Sequence, residues 1–129
     1  MLRRPRMDPL ARQVALELGV GRIGLGTAVL FATRPALKAL GFGEPGRVGE
    51  ALAKFGGGRD AALGVMTLAA RDDRQALRTT ILVSSACDLA DMVALGISAR
   101  HPETRTAGIG GVLAGGAAAA AGFWAWRRL

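Results

Sequence analysis

The stretch AGIGGVLAGGAAAAAGFWAW, from Ala107 to Trp126, decides the fold class because it runs for twenty residues without a charged side chain. At about 1.5 Å per residue, a helix of that length covers the roughly 30 Å hydrocarbon core of a bilayer. Trp124 and Trp126 stand where interfacial anchors of a membrane helix lie, and Arg127 follows directly. The stretch therefore predicts a membrane-spanning helix. A buried, alanine-rich helix of a soluble protein is the alternative.

The composition of the 129-residue chain also favours a membrane protein. Half of the residues are hydrophobic, yet only 5% are aromatic and tyrosine is absent. A soluble core of this size is normally built from large interdigitating side chains, whereas Gly and Ala let helix backbones approach closely inside lipid. We therefore expect one membrane domain over residues 1–129.

Three further apolar segments predict helices at about 13–33, 51–70 and 79–99, beside the fourth at 107–126. Turn-forming and polar residues separate the segments, and short links imply antiparallel neighbours. Each of the first three segments contains charged residues, and one charge at mid-bilayer costs about 2.5–3.5 kcal/mol. These helices therefore need one another. The expected fold is all-α, a four-transmembrane-helix bundle with antiparallel neighbours.

Basic residues set the expected orientation, because cytoplasmic loops of membrane proteins are rich in Lys and Arg. With the N-terminus inside, the inner group is Arg3, Arg4, Arg6, Arg12, Arg71, Arg74, Arg78, Arg127 and Arg128, and the outer group is Arg34, Lys38, Arg47, Lys54, Arg100 and Arg105. Nine against six predicts that both termini are cytoplasmic. A cleaved signal peptide ending near Ala32 is the rival interpretation, which the charges of Glu17 and Arg22 disfavour.

Several functional classes find little support in the sequence. The net charge of +7 raises nucleic acid as a partner, but the basic residues cluster between apolar segments and no recognition motif is present, so we expect none. Cys87 and His101 are the single cysteine and histidine, which excludes a Cys-based zinc site within one chain and disfavours Cys/His nucleophilic chemistry. We expect no enzymatic activity, no metal and no cofactor, although a carboxylate-bound cation stays open.

One motif resembles a nucleotide-binding loop. The G-x-G-x-x-G match from Gly19 to Gly24 lies inside an apolar, helix-forming segment. A dinucleotide site needs a strand before that motif and a helix opening at it. The match therefore predicts a small-residue packing face.

Ionisable residues at membrane depth form the candidate site. They are Arg22, Arg59, Asp60, Asp88 and Asp91. Their depths predict that Arg22 meets Asp60 or Asp88, and that Arg59 meets Asp88 or Asp91. With Glu17 the set holds two basic and four acidic groups. Pairing alone therefore leaves part of the negative charge uncompensated. We interpret the set as a structural ion-pair cluster with a protonated acid, as a proton or cation site, or as a site of ligand recognition.

A second candidate surface lies on the fourth segment. Gly111 and Gly115 form a G-x-x-x-G pair, with Gly108 and Gly116 beside them. Such glycines permit very close helix contact in a membrane. The sequence leaves open whether this helix-association face packs inside the bundle or between subunits.

The stretch Gly57-Gly58-Arg59-Asp60-Ala61-Ala62-Leu63-Gly64, followed by an Arg-rich turn and then Asp88 with Asp91, resembles a family of small, uncharacterised bacterial four-helix integral membrane proteins. The shared pattern is Gly-Arg-Asp-x-x-Leu-Gly, and the likeness covers roughly residues 19–100. It implies a multi-pass protein of the bacterial cytoplasmic (inner) membrane and singles out Arg59, Asp60 and Asp88. It implies no activity.

Two functional hypotheses follow. The first is a non-enzymatic membrane protein that acts through association, either as a homo-oligomer or as an accessory subunit of a larger membrane complex. Its partners are then the lipid bilayer and either itself or that complex. The second is transport or conductance of protons or a small cation through Asp60, Asp88 and Asp91.

Overall fold

The computed structural model describes residues 6–129, and within that range the chain forms five α-helices and one 3₁₀ turn, without a strand. The helices are α1 (Pro9–Phe31), α2 (Thr33–Ala39), α3 (Arg47–Ala69), α4 (Arg74–Ser98) and α5 (Arg105–Arg128), and the 3₁₀ turn is Pro102–Thr104. The all-α class is confirmed. Arg3 and Arg4, counted above on the inner side, lie outside the described residues.

Three helical segments of the described chain are long and apolar enough to cross a membrane. They are α1, α4 and the segment Pro102–Arg128, which includes α5. The sequence predicted four, but α3 does not belong to this group, although it is as long as α1 at 23 residues. The reason is charge, since every membrane-length stretch of α3 contains Lys54, Arg59 and Asp60.

The helix starts lie a few residues before the predicted ones, and at α1 and α4 a capping side chain satisfies the first N–H groups. The Asp8 carboxylate accepts hydrogen bonds from the N–H groups of Leu10 and Ala11. The Asp73 carboxylate accepts a hydrogen bond from the N–H of Ala76 at the start of α4. Sequence analysis missed α2, which follows α1 after a bend at Ala32.

Glycines let α1 and α3 pack against each other in antiparallel directions. A Cβ added at Gly64 would lie 2.5 Å from the carbonyl oxygen of Gly19, and one at Gly57 would lie 2.9 Å from that of Gly26. Real Cβ atoms essentially never approach so closely. Any residue larger than glycine at these two positions would therefore require the backbone to shift. The two helices form one tightly packed pair.

The helices α4 and α5 form a second antiparallel pair of the same kind. A Cβ at Gly108 would lie 2.6 Å from the carbonyl oxygen of Leu95, and a Cβ at Gly122 would collide with the hydroxyl of Ser85. Neighbouring long helices therefore run antiparallel, as predicted. The bundle consists of two glycine-packed pairs.

An apolar core joins the two pairs at the end where α1 and α4 begin. Its buried residues are Ala11, Ala15, Ala70, Leu77, Ile81, Ala125 and Leu129. At the opposite end the link after α2 reaches the start of α5, where a Cβ on Gly41 would lie 3.2 Å from Thr106. Between these ends α3 and α4 touch sparingly, and charged side chains fill the middle of the bundle.

Candidate functional site

Arg22 of α1 links both helix pairs. Its Nη1 lies 3.0 Å from Oδ1 of Asp60 on α3, and its Nη2 lies 2.5 Å from Oδ2 of Asp88 on α4. Nη2 also donates a hydrogen bond of 3.1 Å to the carbonyl oxygen of Ser84. Both carboxylates named as possible partners from the sequence are therefore in contact with this guanidinium.

Arg59 of α3 makes the second connection between the pairs. Its Nη1 and Nη2 donate to Oδ1 and Oδ2 of Asp91 at 3.0 and 2.5 Å, a bidentate arrangement. Its Nη2 also lies 3.2 Å from Oδ1 of Asp60, which is thus shared by two guanidinium groups. Of the two partners predicted for Arg59, the structure places Asp91 in contact. We call Arg22, Arg59, Asp60, Asp88 and Asp91 the charge cluster.

Burial divides the charge cluster into two parts. The side chains of Arg22, Asp60 and Asp88 are 11%, 16% and 13% exposed, whereas those of Arg59 and Asp91 are 38% and 39% exposed. The first three are therefore shielded inside the bundle, and the second pair opens toward the surface between α3 and α4. Removing one partner of a shielded pair leaves an uncompensated buried charge, which is strongly destabilising.

The charge cluster holds one more carboxylate than guanidinium groups. Glu17, counted with it in the sequence, lies elsewhere, because its carboxylate accepts from the amide of Gln13 on the surface of α1. Within residues 6–129, no hydrogen bond reaches Oδ2 of Asp60 or Oδ1 of Asp88. These oxygens can accept a proton, a water molecule or a cation.

A buried hydroxyl lies next to the charge cluster along α4. Ser84 is 4% exposed and precedes Asp88 by one helical turn, so both side chains project from the same side of the helix. Its Oγ has no hydrogen-bond partner among the described residues. An isolated buried hydroxyl costs about 1–3 kcal/mol unless something binds it.

No group of three His, Cys, Asp or Glu side chains is arranged to hold a metal ion in the described part of the chain. Asp60, Asp88 and Asp91 are instead oriented by the two guanidinium groups between them. The chemistry available at the cluster is charge pairing and the binding of a proton, a water molecule or a small cation.

The helix-association face predicted on the fourth segment packs inside the chain. Added Cβ atoms at Gly108 and Gly111 would meet Leu95 of α4, and those at Gly115 and Gly116 would meet Met92. The question left open by the G-x-x-x-G spacing is thereby answered for the described residues. This face therefore contacts α4 within the chain.

A polar pair that was not predicted lies on the side of α1 that faces away from Arg22. Gln13 Nε2 donates a 2.9 Å hydrogen bond to Oε1 of Glu17, and both side chains are exposed. The exposed stripe that contains them, here called the outward face of α1, consists of Gln13, Glu17, Val20, Gly21, Gly24 and Ala28. A signal was present, since five residues turn an α-helix by about 140° and place Glu17 away from the inward-facing Arg22.

Charged residues also gather at the two ends of the bundle. At the core end Arg78 lies 5.3 Å from the centre of the Trp126 ring, which suits an amphipathic membrane interface. At the other end Arg34 Nε donates to Glu50 at 2.6 Å, and this hydrogen bond raises the pKa of Arg34. Both ends of the bundle therefore carry charged side chains.

Comparisons with protein-family models, with curated proteins and with solved structures find no match for this chain. The family likeness expected from residues 57–64 gains no support from them. A functional assignment therefore rests on the geometry of the chain itself.

Proposed function

We propose that this chain is a non-enzymatic membrane protein that acts by associating with helices outside itself. The observation that carries the proposal is the Gln13–Glu17 pair on the outward face of α1. Glu17 lies eight residues after Pro9, about 12 Å along the helix axis, which is inside the hydrocarbon depth of a spanning helix. Ionisable groups at that depth almost always face protein or a water-filled cavity. A neighbouring helix therefore covers Glu17.

The proposal includes α3 as a fourth span. It runs along α1 through glycine contacts, and its Arg59 and Asp60 are paired with residues of α1 and α4. Paired charges are far less costly in lipid than isolated ones, so α3 inserts together with α1. The excess of basic residues at the core end favours a cytoplasmic location for that end, as in a bacterial inner-membrane protein.

Other surfaces of the bundle are suited to lipid. The exposed side of α5 carries Ile109 and Leu113, and that of α4 carries Val83 and Val93. Lipid tails solvate such side chains as well as another helix does. The outward face of α1 differs because it alone among these three combines an exposed carboxylate with open glycines.

Association is tested in the native membrane. Mild solubilisation followed by native electrophoresis should place the full chain in a species heavier than one copy with its detergent. Glu17→Leu should shift it toward the mass of a single copy, while Val83→Leu, an equally outward position on α4, should leave the heavier species intact. A single-copy species for the unmodified chain would contradict the proposal.

Proton or cation transfer is the second candidate function. It is favoured by the excess carboxylate of the charge cluster and by the unpartnered hydroxyl of Ser84. Asp88→Asn should then abolish a pH- or cation-driven flux into proteoliposomes, whereas Glu17→Leu should leave that flux unchanged. Proteoliposomes of the unmodified chain without any flux would exclude this function.

A further inference from the structure

We infer that the charge cluster binds one small monovalent metal cation, held by the carboxylates of Asp60 and Asp88 and by the hydroxyl of Ser84. This inference is independent of the proposed association, because a bound ion needs no partner protein. It also needs no flux across the membrane, although cation transfer would use the same site.

The charge of the cluster determines the charge of the ion. Asp60, Asp88 and Asp91 carry three negative charges. Arg22 and Arg59 carry two positive charges. One negative charge is therefore left at membrane depth, where an uncompensated charge is costly. A monovalent cation brings the sum to zero, whereas a divalent cation would leave one positive charge in its place.

Two carboxylates meet at one guanidinium, and each leaves an oxygen for the ion. Arg22 Nη1 lies 3.0 Å from Oδ1 of Asp60, and its Nη2 lies 2.5 Å from Oδ2 of Asp88. Because both nitrogens belong to the same guanidinium, the two carboxylates lie beside each other between α3 and α4. No hydrogen bond from the described residues reaches Oδ2 of Asp60 or Oδ1 of Asp88. Carboxylate oxygens are ligands that hard cations prefer.

Ser84 supplies the third oxygen. It is 4% exposed, and its Oγ has no hydrogen-bond partner among residues 6–129. Side chains of a helix lean toward its N-terminus, so the carboxylate of Asp88 lies over the turn that contains Ser84. The carbonyl oxygen of Ser84 accepts a 3.1 Å hydrogen bond from the same Arg22 Nη2 that contacts Asp88. The unpartnered hydroxyl therefore belongs to a residue in direct contact with the charge cluster.

A bound proton would also cancel the surplus charge, but it would use fewer of these oxygens. A proton on Oδ1 of Asp88 would be donated to Oγ of Ser84 and would leave Oδ2 of Asp60 without a partner. A hard cation takes several oxygen ligands at once and often keeps water as well. Two carboxylates and a hydroxyl form this site, which agrees with the absence of a three-residue His, Cys, Asp and Glu group in the described part of the chain.

Binding is measured directly with radioactive Na⁺ as the probe. The full chain is purified in detergent, and choline replaces Na⁺ so that the ionic strength stays constant. Saturation should be reached at one Na⁺ per chain. Unlabelled Na⁺ should displace the label, whereas Mg²⁺ at the same concentration should not, because a divalent ion leaves the cluster charged. The absence of saturable Na⁺ binding would overturn the inference.

Two adjacent serines of α4 provide a matched pair of variants. Ser84→Ala should weaken Na⁺ binding about tenfold or more, since even residues behind the direct ligands of a metal change its affinity by about 10–100-fold. Ser85→Ala removes an equally buried hydroxyl, 1% exposed, that faces Gly122 of α5. This control should bind Na⁺ as the unmodified chain does. Equal affinities of the two variants would overturn the inference.

Asp88→Asn tests the charge argument. It leaves two carboxylates and two guanidinium groups, so the cluster is neutral without an ion. Na⁺ should raise the melting temperature of the unmodified chain, because a ligand that binds only the folded state stabilises it. The melting temperature of Asp88→Asn should not respond to Na⁺. A response equal to that of the unmodified chain would overturn the inference, and if this variant does not fold, the two serine variants decide.

The outcomes separate this inference from the proposed functions. A purified chain that binds Na⁺ but gives no flux in proteoliposomes supports the cation site and excludes transfer. A heavier native species formed by a chain that does not bind Na⁺ supports association and overturns the cation site. An infrared band of a protonated carboxylic acid at neutral pH, together with no Na⁺ binding, would show that a proton neutralises the cluster instead.

Discussion

Replacing Gly64 by alanine tests the packing of α1 on α3 against a control on the same helix. A Cβ at Gly64 would lie 2.5 Å from the carbonyl oxygen of Gly19 and 3.0 Å from the backbone nitrogen of Ile23. These atoms belong to the backbone of α1 and cannot rotate away. At Gly56 the same Cβ meets no described atom within 4 Å. Gly56→Ala is therefore the same chemical change without the collision.

Two opposing terms set the expected magnitudes. An alanine in a helix interior is favoured over glycine by roughly 0.5–1 kcal/mol, and this gain applies to both positions. Overpacking a close contact costs about 1–3 kcal/mol and applies to Gly64 alone. We expect Gly56→Ala to raise the free energy of unfolding slightly and Gly64→Ala to lower it. The gap between the two variants equals the overpacking term, about 1–3 kcal/mol.

The free energies are obtained from reversible unfolding in mixed micelles, titrated with sodium dodecyl sulfate and followed by the fluorescence of Trp124 and Trp126. Dilute protein in excess detergent keeps the chain monomeric, so that association makes no contribution. Two variants of equal stability would refute the close backbone approach of α1 and α3.

Three further outcomes are expected in the same assay. Arg22→Gln should lower the free energy of unfolding by about 3–5 kcal/mol. This variant should unfold at a lower denaturant concentration than Arg59→Gln, because the ion pairs of Arg22 are more shielded than those of Arg59. The reverse order would contradict this. Gly108→Ala should destabilise more than Gly111→Ala, since the new Cβ meets the backbone of α4 in the first and a flexible leucine side chain in the second. Leu129→Ala should cost about 2–5 kcal/mol because that side chain is fully buried, and a neutral result would show that it does not pack in the core.

The long helices and their antiparallel order could be predicted because apolar runs of membrane length are hard to mistake. The short helix α2 could not, because seven residues that include a proline are too few to show a helical apolar period. In the structure Pro35 lies in the first turn of α2, where a missing N–H leaves no hydrogen bond unmade.

The depth of each charged residue in the membrane could be predicted from the sequence, but the direction in which its side chain points around the helix axis could not. Residues on helices joined by a tight turn have depths that follow from their distance to the turn, which places Arg59 near both Asp88 and Asp91. Which of them it contacts depends on how each helix rotates about its axis, and Asp88 points to Arg22 on α1. A packed structure is needed to decide this.

Glycine spacing was the least informative pattern. Gly19 and Gly26 contact α3 closely, whereas Gly21 and Gly24 between them face open space. All four lie on one helix with similar neighbours in sequence. Helix propensity treats them alike, and only the position of α3 distinguishes them.

The sides of α1 differ in chemistry, and for one of them, the outward face, the described helices provide no packing partner. Gly19 and Gly26 fit α3, and Arg22 pairs with carboxylates of α3 and α4. In lipid, apolar surfaces gain little by meeting each other, so close packing and polar contacts decide which helices associate. Glu17 and Gly24 offer both on the outward face: Glu17 is hydrogen-bonded to Gln13 of the same helix, and a Cβ added at Gly24 meets no described atom within 4 Å. The inward sides of α1 build the bundle, and the outward face is suited to contact with a helix outside the chain.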